Sequence, residues 1–221
     1  MVPRMAARPA AALLLALAPA GALAAPLDGY VRRLEYAALV SDLNARLLAT
    51  RSATQTLEGW CRLHRLADRP AIVAERIAGA DKPISAEQRG RLGIGADEPV
   101  RYRHVRLRCG DRVLSEADNW YVPSRLTPEM NALLDGGDTP FGTVVAPLGI
   151  ARRPMSAEQL WWPLAEGWEM YRDIEAADRS LPSVPAELIR HRAIVVDRSG
   201  RPIAEVAETY GAPLLDFMSA R

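Results

Sequence analysis

The chain has 221 residues, 49% of them apolar and 25% charged, with a formal net charge of +1. That is enough chain to bury a real core. The near-zero charge gives no sign of a polyanion binder or a basic membrane patch, so nucleic acid is not an expected partner.

The first segment reads as a secretory signal. "MVPRMAARPA" carries Arg4 and Arg8, "AALLLALAPAGAL" is apolar, and "ALAA" ends in small residues before Pro26. This is the order of a signal peptide over residues 1–24, cut after Ala24; an uncleaved anchor, or a start at Met5, is the alternative. Removing two arginines and no acids gives a mature charge of +1 − 2 = −1. The expected product is exported, periplasmic or secreted. It has no stable membrane insertion after cleavage, is a monomer, and has one domain over 25–221.

A helix is predicted over 27–50, where Tyr36, Leu39, Val40, Leu43 and Leu47 share a face. "TQTLEGWCRLHRL" then places Leu57, Cys61 and Leu63 at alternate positions and predicts a strand, and "PAIVAERI" a second short one. Ser85 with Gln88 three residues on marks the start of one or two helical turns. "VRYRHVRLRC" alternates as a strand and turns at Gly110-Asp111 into "RVLSEADNWYVP", a hairpin. Thr127 and Pro128 open a helix that ends at glycines, and Asp138 to Pro140 repeats the cap-then-proline start. "SAEQLWWPLAEGWEMYRDIEAADR" predicts two helical pieces broken at Pro163, with Trp161, Trp162 and Trp168 covering the sheet. A last hairpin, "LIRHRAIVVD" and "PIAEVAETY", turns at Arg198 to Arg201. The class is α+β, a single mostly antiparallel sheet with helices packed on it.

Two charged residues break the alternation. Arg103 shares the apolar parity of Val105, Leu107 and Cys109, whereas Tyr102, His104, Arg106 and Arg108 face solvent. A buried guanidinium needs a partner, either a protein carboxylate or a ligand. Glu208 lies among Ala204, Val206 and Tyr210 in the same way, and Glu205 falls on the opposite, exposed parity. Arg103 and Glu208 therefore form either an internal ion pair or a site. G-x-S-x-G, H-E-x-x-H, P-loop and C-x-x-C motifs are missing from the sequence. The three histidines, His64, His104 and His191, read as solvated strand residues, and neither metal nor organic cofactor is expected.

"RHVRLRCGDRVLSEADNWYVP", "DTPFG" and "GRPIAEVAETY" follow one another in the order and roughly the spacing of the chorismate lyase (chorismate pyruvate-lyase) family. The sequence resembles that family over roughly residues 30–150 and 188–213. The resemblance implies a chorismate lyase-like fold and a pocket for a small aromatic or cyclic carboxylate. It also implies cofactor-independent elimination of pyruvate from chorismate, giving 4-hydroxybenzoate. Position by position, Arg103 matches the arginine that grips the substrate carboxylate, and Arg106 would be reached only by a gap. Glu208 matches the glutamate at the ring-oxygen end, and both are implied to be catalytic. Phe141 and Ala53 match residues whose backbone N–H groups touch the ligand. The segment 154–187 is longer than the family's. An exported ligand-binding or accessory protein of the same fold, without lyase activity, is the alternative.

Cys61 and Cys109 are the two cysteines. If the strand around Cys61 pairs antiparallel with "VRYRHVRLRC", the two lie side by side with the same parity, and export would let them form a disulfide. In a reducing compartment they would be buried thiols.

Overall fold

The computed structural model describes residues 25–79, 81–170 and 180–219; the predicted signal peptide and part of the second predicted helical piece lie outside them. Helix α1 (Ala25–Ala49) buries Tyr36, Val40, Leu43 and Leu47, the face its spacing predicts. Helix α2 is Ala53–Leu63. It stands where a strand is expected. Ala53, Leu57, Trp60 and Cys61 are buried at helical spacing while Leu63 is exposed, so the period is that of a helix. The alternation of Leu57, Cys61 and Leu63 is incidental to it.

Strand β1 (Ile72–Arg76) leads to helix α3 (Ala86–Leu92), whose Ser85–Gln88 capping box forms as expected. Strands β2 (Arg101–Cys109) and β3 (Arg112–Tyr121) make the hairpin, and Gly110 takes the left-handed φ of 55° that the tight turn requires. Helix α4 (Pro128–Gly136) starts at the Thr127 cap. Helix α5 (Phe141–Val144) begins only after Pro140, and Asp138 does not cap it.

Strand β4 (Ala151–Gln159) occupies the first predicted helical piece. Its sequence lacks β-branched residues, and it is held extended by pairing with β5 (Glu187–Val196), with a register shift between Pro154 and Ser156. An edge strand bonded on one side tolerates a proline that an inner strand would not. Trp161 packs on Tyr36, ring centroids 5.4 Å apart, but Trp162 and Trp168 are exposed and do not cover the sheet. Strand β6 (Pro202–Gly211) and a 3₁₀ turn at Ala212–Met218 are the last described elements.

The sheet order is β1-β2-β3-β6-β5-β4, antiparallel throughout, so the class is α+β as expected. On its inner face α1, α2 and the 3₁₀ turn bury one cluster around Leu57, Trp60, Leu107 and Tyr210. Helices α4 and α5 bury a second around Tyr121, Phe141, Val195 and Val206. Cys61 and Cys109 are joined by a disulfide across the first cluster. The pair is the expected one, but the geometry is a helix lying over a strand end. The strands beside Cys109 are β1, through Ile72, and β3, through Arg112.

Helix α3 covers one end of the outer face, and this overturns the expected exposure of Glu205, which is fully buried. Arg91 grips its carboxylate at 2.8 and 3.0 Å, Arg192 donates at 2.7 Å and Gln88 at 3.3 Å. Burial pushes this carboxyl up, but the hydrogen bonds from Arg91 and Arg192 outweigh it and hold the group below the usual carboxylate range. Glu205 thus ties α3 to the sheet.

Candidate functional site

Arg103 is buried as its parity predicts, yet Glu208 is not its partner. In the register of β2, β3 and β6, Arg103 lies level with Asn119 and Val206, and Glu208 lies level with Ala117 and Val105, one inward row away. The guanidinium donates instead to the backbone carbonyls of Gly137, at 2.8 Å, and Thr139, at 3.1 Å. These follow the C-terminus of α4, where aligned carbonyls present partial negative charge that suits a cation. Burial still pulls the Arg103 pKa down from its ordinary value. Two neutral peptide carbonyls stand where an anion is anticipated, and of the two alternatives the Arg103–Glu208 ion pair does not form.

Glu208 pairs with Arg152 of β4, a residue the sequence reading does not single out. The two side chains are 9% and 6% exposed, so the pair is effectively desolvated. Tyr210 donates its hydroxyl to the same oxygen, Oε2, at 3.0 Å. Burial works against the Arg152 charge, but Glu208 and Tyr210 outweigh it and raise its pKa; burial and Glu208 push the Tyr210 phenol well up. Across from Glu208 on β5 stands His191, which is buried and not solvated as expected; its Nε2 lies 2.7 Å from Asn44 Oδ1 of α1. Its parity, shared with Ile189 and Ala193, is the signal that would have placed it inside. Burial lowers its pKa and the facing Arg152 adds to this, against the opposing pull of Glu208.

A folded pKa below the unfolded one means stability is complete above the unfolded value and is lost as pH falls through the folded one. Melting temperature is therefore expected to drop as pH falls below about 6.5, the ordinary histidine value. His191→Gln should flatten that part of the profile. Equal slopes in the two proteins between pH 7.5 and 5 would show that the ring titrates freely.

Arg152 and Glu208 line one wall of a cavity between the sheet and the helix starts. Val105, Leu107, Ala117 and Val206 make an apolar floor, with Asn119 at its edge. Phe141 and Gly142 of α5, with Ile150 and Val195, close one side. Arg51, Ser52, Ala53 and Thr54, at the start of α2, close the other. The cavity is small, about 40 Å³ in volume.

The start of α2 is built for an anion. Ser52 is its N-cap residue, but its side chain makes no capping bond. The hydroxyl is buried and has no partner among the described residues. Intrahelical bonding begins with Thr56 N–H to Ser52 O, so the N–H groups of Ala53, Thr54 and Gln55 have no acceptor within the helix. A Cβ on Gly142 would lie 2.8 Å from Ser52 Oγ and 3.0 Å from Thr54 Oγ1, so α5 packs closely over this end of α2. Of the residues the sequence singles out, Ala53, Phe141 and Glu208 meet at this cavity. Arg103 is not among its lining residues, and Arg106 pairs with Glu116 on the other face. Ser52, Arg51 and Arg152 are the additions the structure makes.

A six-stranded antiparallel sheet holding a small cavity with a buried ion pair at one end and a helix start at the other defines an α+β protein with a candidate small-molecule site. No family model matches the chain. It is 46% identical over 186 residues to the uncharacterized protein y4mC of Sinorhizobium fredii, covering 84% of this chain and 78% of that protein, and belongs to the same family. Among solved structures it is similar to PhnF from Mycobacterium smegmatis, at 15% identity and a TM-score of 0.49, over 75% of this chain and 65% of that one. The effector domain of the same protein matches with a TM-score of 0.47 and 15% identity, over 73% of this chain and 88% of the domain. A GntR-family transcriptional regulator from Enterococcus faecalis gives 0.38 at 15% identity, over 63% and 93%.

Proposed function

We propose that this protein binds a small carboxylate in the cavity, as an exported ligand-binding protein. The observation that carries the reading is the Ser52 hydroxyl, buried and unpartnered at the N-terminus of an 11-residue helix and lining the cavity. Unsatisfied donors at a helix start, backed by Arg51 and Arg152, favour a negative ligand. The disulfide suits an oxidising compartment, which supports export together with the signal-like first segment.

The test is calorimetric titration of the purified protein with short and ring carboxylates, repeated on Ser52→Ala. One lost charge-assisted hydrogen bond corresponds to roughly a tenfold loss of affinity. The melting temperature should hardly change, because that hydroxyl has no partner among the described residues. Unchanged affinity in Ser52→Ala would remove the helix start from the site.

A finer reading is favoured by one observation. Glu208, Phe141 and Ala53, three of the positions to which the chorismate lyase resemblance points, line the same cavity. In pyruvate elimination from chorismate, Arg152 would hold the ring carboxylate in place of Arg103, and Glu208 would handle the proton. The ring C–O bond breaks, the neighbouring ring carbon loses its proton, and the departing enolate is protonated to pyruvate, leaving 4-hydroxybenzoate. Incubation with chorismate, following 4-hydroxybenzoate by absorbance, tests it. Binding without turnover leaves the ligand-binding reading alone.

A further inference from the structure

We infer that the ligand is a short carboxylate carrying a hydroxyl or ammonium donor on the carbon next to its carboxyl group. This rests on the carboxylate-binding reading above, adds to it a size and a second functional group, and stands against the lyase reading, whose ring substrate the size excludes.

Size follows from the walls. With a volume of about 40 Å³, well below the roughly 150 Å³ of a cavity that admits benzene, the cavity matches a molecule of a few carbons and no ring. The walls that would have to retreat for a ring are fixed. Val105, Ala117 and Val206 lie on paired inner strands, each 4% exposed or less, and moving them means shifting the sheet. Phe141, 7% exposed, is wedged against Tyr121 with ring centroids 5.8 Å apart.

The second group follows from the two oxygens of Glu208. Arg152 and Tyr210 both donate to Oε2. Among the described residues no donor reaches Oε1, and the residue lines the cavity. A plain carboxylate seated on the α2 N-terminus would leave Oε1 facing an apolar methyl or methylene group. That forfeits the water bonding of a charged oxygen with no return. A donor on the α-carbon restores the bond. It makes the ligand bipolar in the sense of the cavity, with its negative end on Ser52 and the helix start and its positive or donor end on Glu208. A 2-hydroxy acid and a small amino acid share this chemistry.

The experiment is calorimetric titration of the full-length protein with lactate, alanine, propionate, benzoate and 4-hydroxybenzoate. Lactate or alanine is expected to bind at least tenfold more tightly than propionate, which matches them in length and lacks the donor. The two arms of that pair identify hydroxyl or ammonium. The benzoates are expected to give no measurable heat, and Phe141→Ala, checked for folding by its melting curve, should admit them. Propionate binding as tightly as both lactate and alanine overturns the assignment of the donor, and benzoate binding at least as tightly as lactate overturns the size. If no carboxylate binds at all, the carboxylate-binding reading itself falls, and the inference with it.

Discussion

Arg152→Ala is expected to lower the free energy of unfolding by about 3–5 kcal/mol, the range for removing one partner of a buried ion pair. The cost arises less from the lost attraction than from what remains. Glu208 would be left as a carboxylate 9% exposed, with only the Tyr210 hydroxyl bonded to it among the described residues. The pair as a whole is a different matter, because its desolvation cost is comparable to its attraction. Arg152→Met combined with Glu208→Leu, similar in volume and apolar, should recover most of the stability while abolishing carboxylate binding. Urea denaturation of the two variants at neutral pH separates these effects. A loss below about 1 kcal/mol in Arg152→Ala, the range of a surface ion pair, would mean that Glu208 finds water or a proton without its arginine. If the double variant stayed as unstable as the single one, the loss would come from packing of the arginine stem.

Removing the Cys61–Cys109 bridge is expected to cost about 4 kcal/mol in the chain-entropy account, from the 48-residue separation of its ends. The bridge encloses the last residues of α2 with β1, α3 and β2, so its loss frees in the unfolded chain a loop holding a third of the sheet's strands. Both cysteines are fully buried beside Leu57, Trp60 and Leu107, so replacement by alanine adds only a small cavity to this loss. The measurement is the melting temperature of Cys61→Ala/Cys109→Ala against the oxidised protein, with reductant as a second route to the same state. Equal melting temperatures in all three would remove the bridge as a source of stability.

The other elements were legible to different degrees, for identifiable reasons. Strands β2, β3, β5 and β6 and helices α1, α3 and α4 declare themselves because each buries one face at its own period or opens on its own cap. Helix α2 also carries its signal, Leu57, Trp60 and Cys61 at spacings of three and one. Over so short a run an alternating subset of the same residues reads equally well as a strand. Strand β4 carries no such signal. Nothing in "ARRPMSAEQ" favours extension, and only the open edge of β5 makes it a strand.

The sequence by itself determined that Arg103 and Glu208 face inward, that Cys61 and Cys109 have only each other, and that the class is α+β. Parity and composition suffice for those, because they are properties of single strands and of counting. Which anion meets which cation was decided by the tertiary structure. The end of α4 brings the Gly137 and Thr139 carbonyls to Arg103, the edge strand carries Arg152 to Glu208, and α3 closes over Glu205. A buried charge fixes only that a partner must exist, since any well-placed carbonyl or counter-ion satisfies the same desolvation cost. Its identity depends on which distant segment the packing delivers, and parity within one strand says nothing about that.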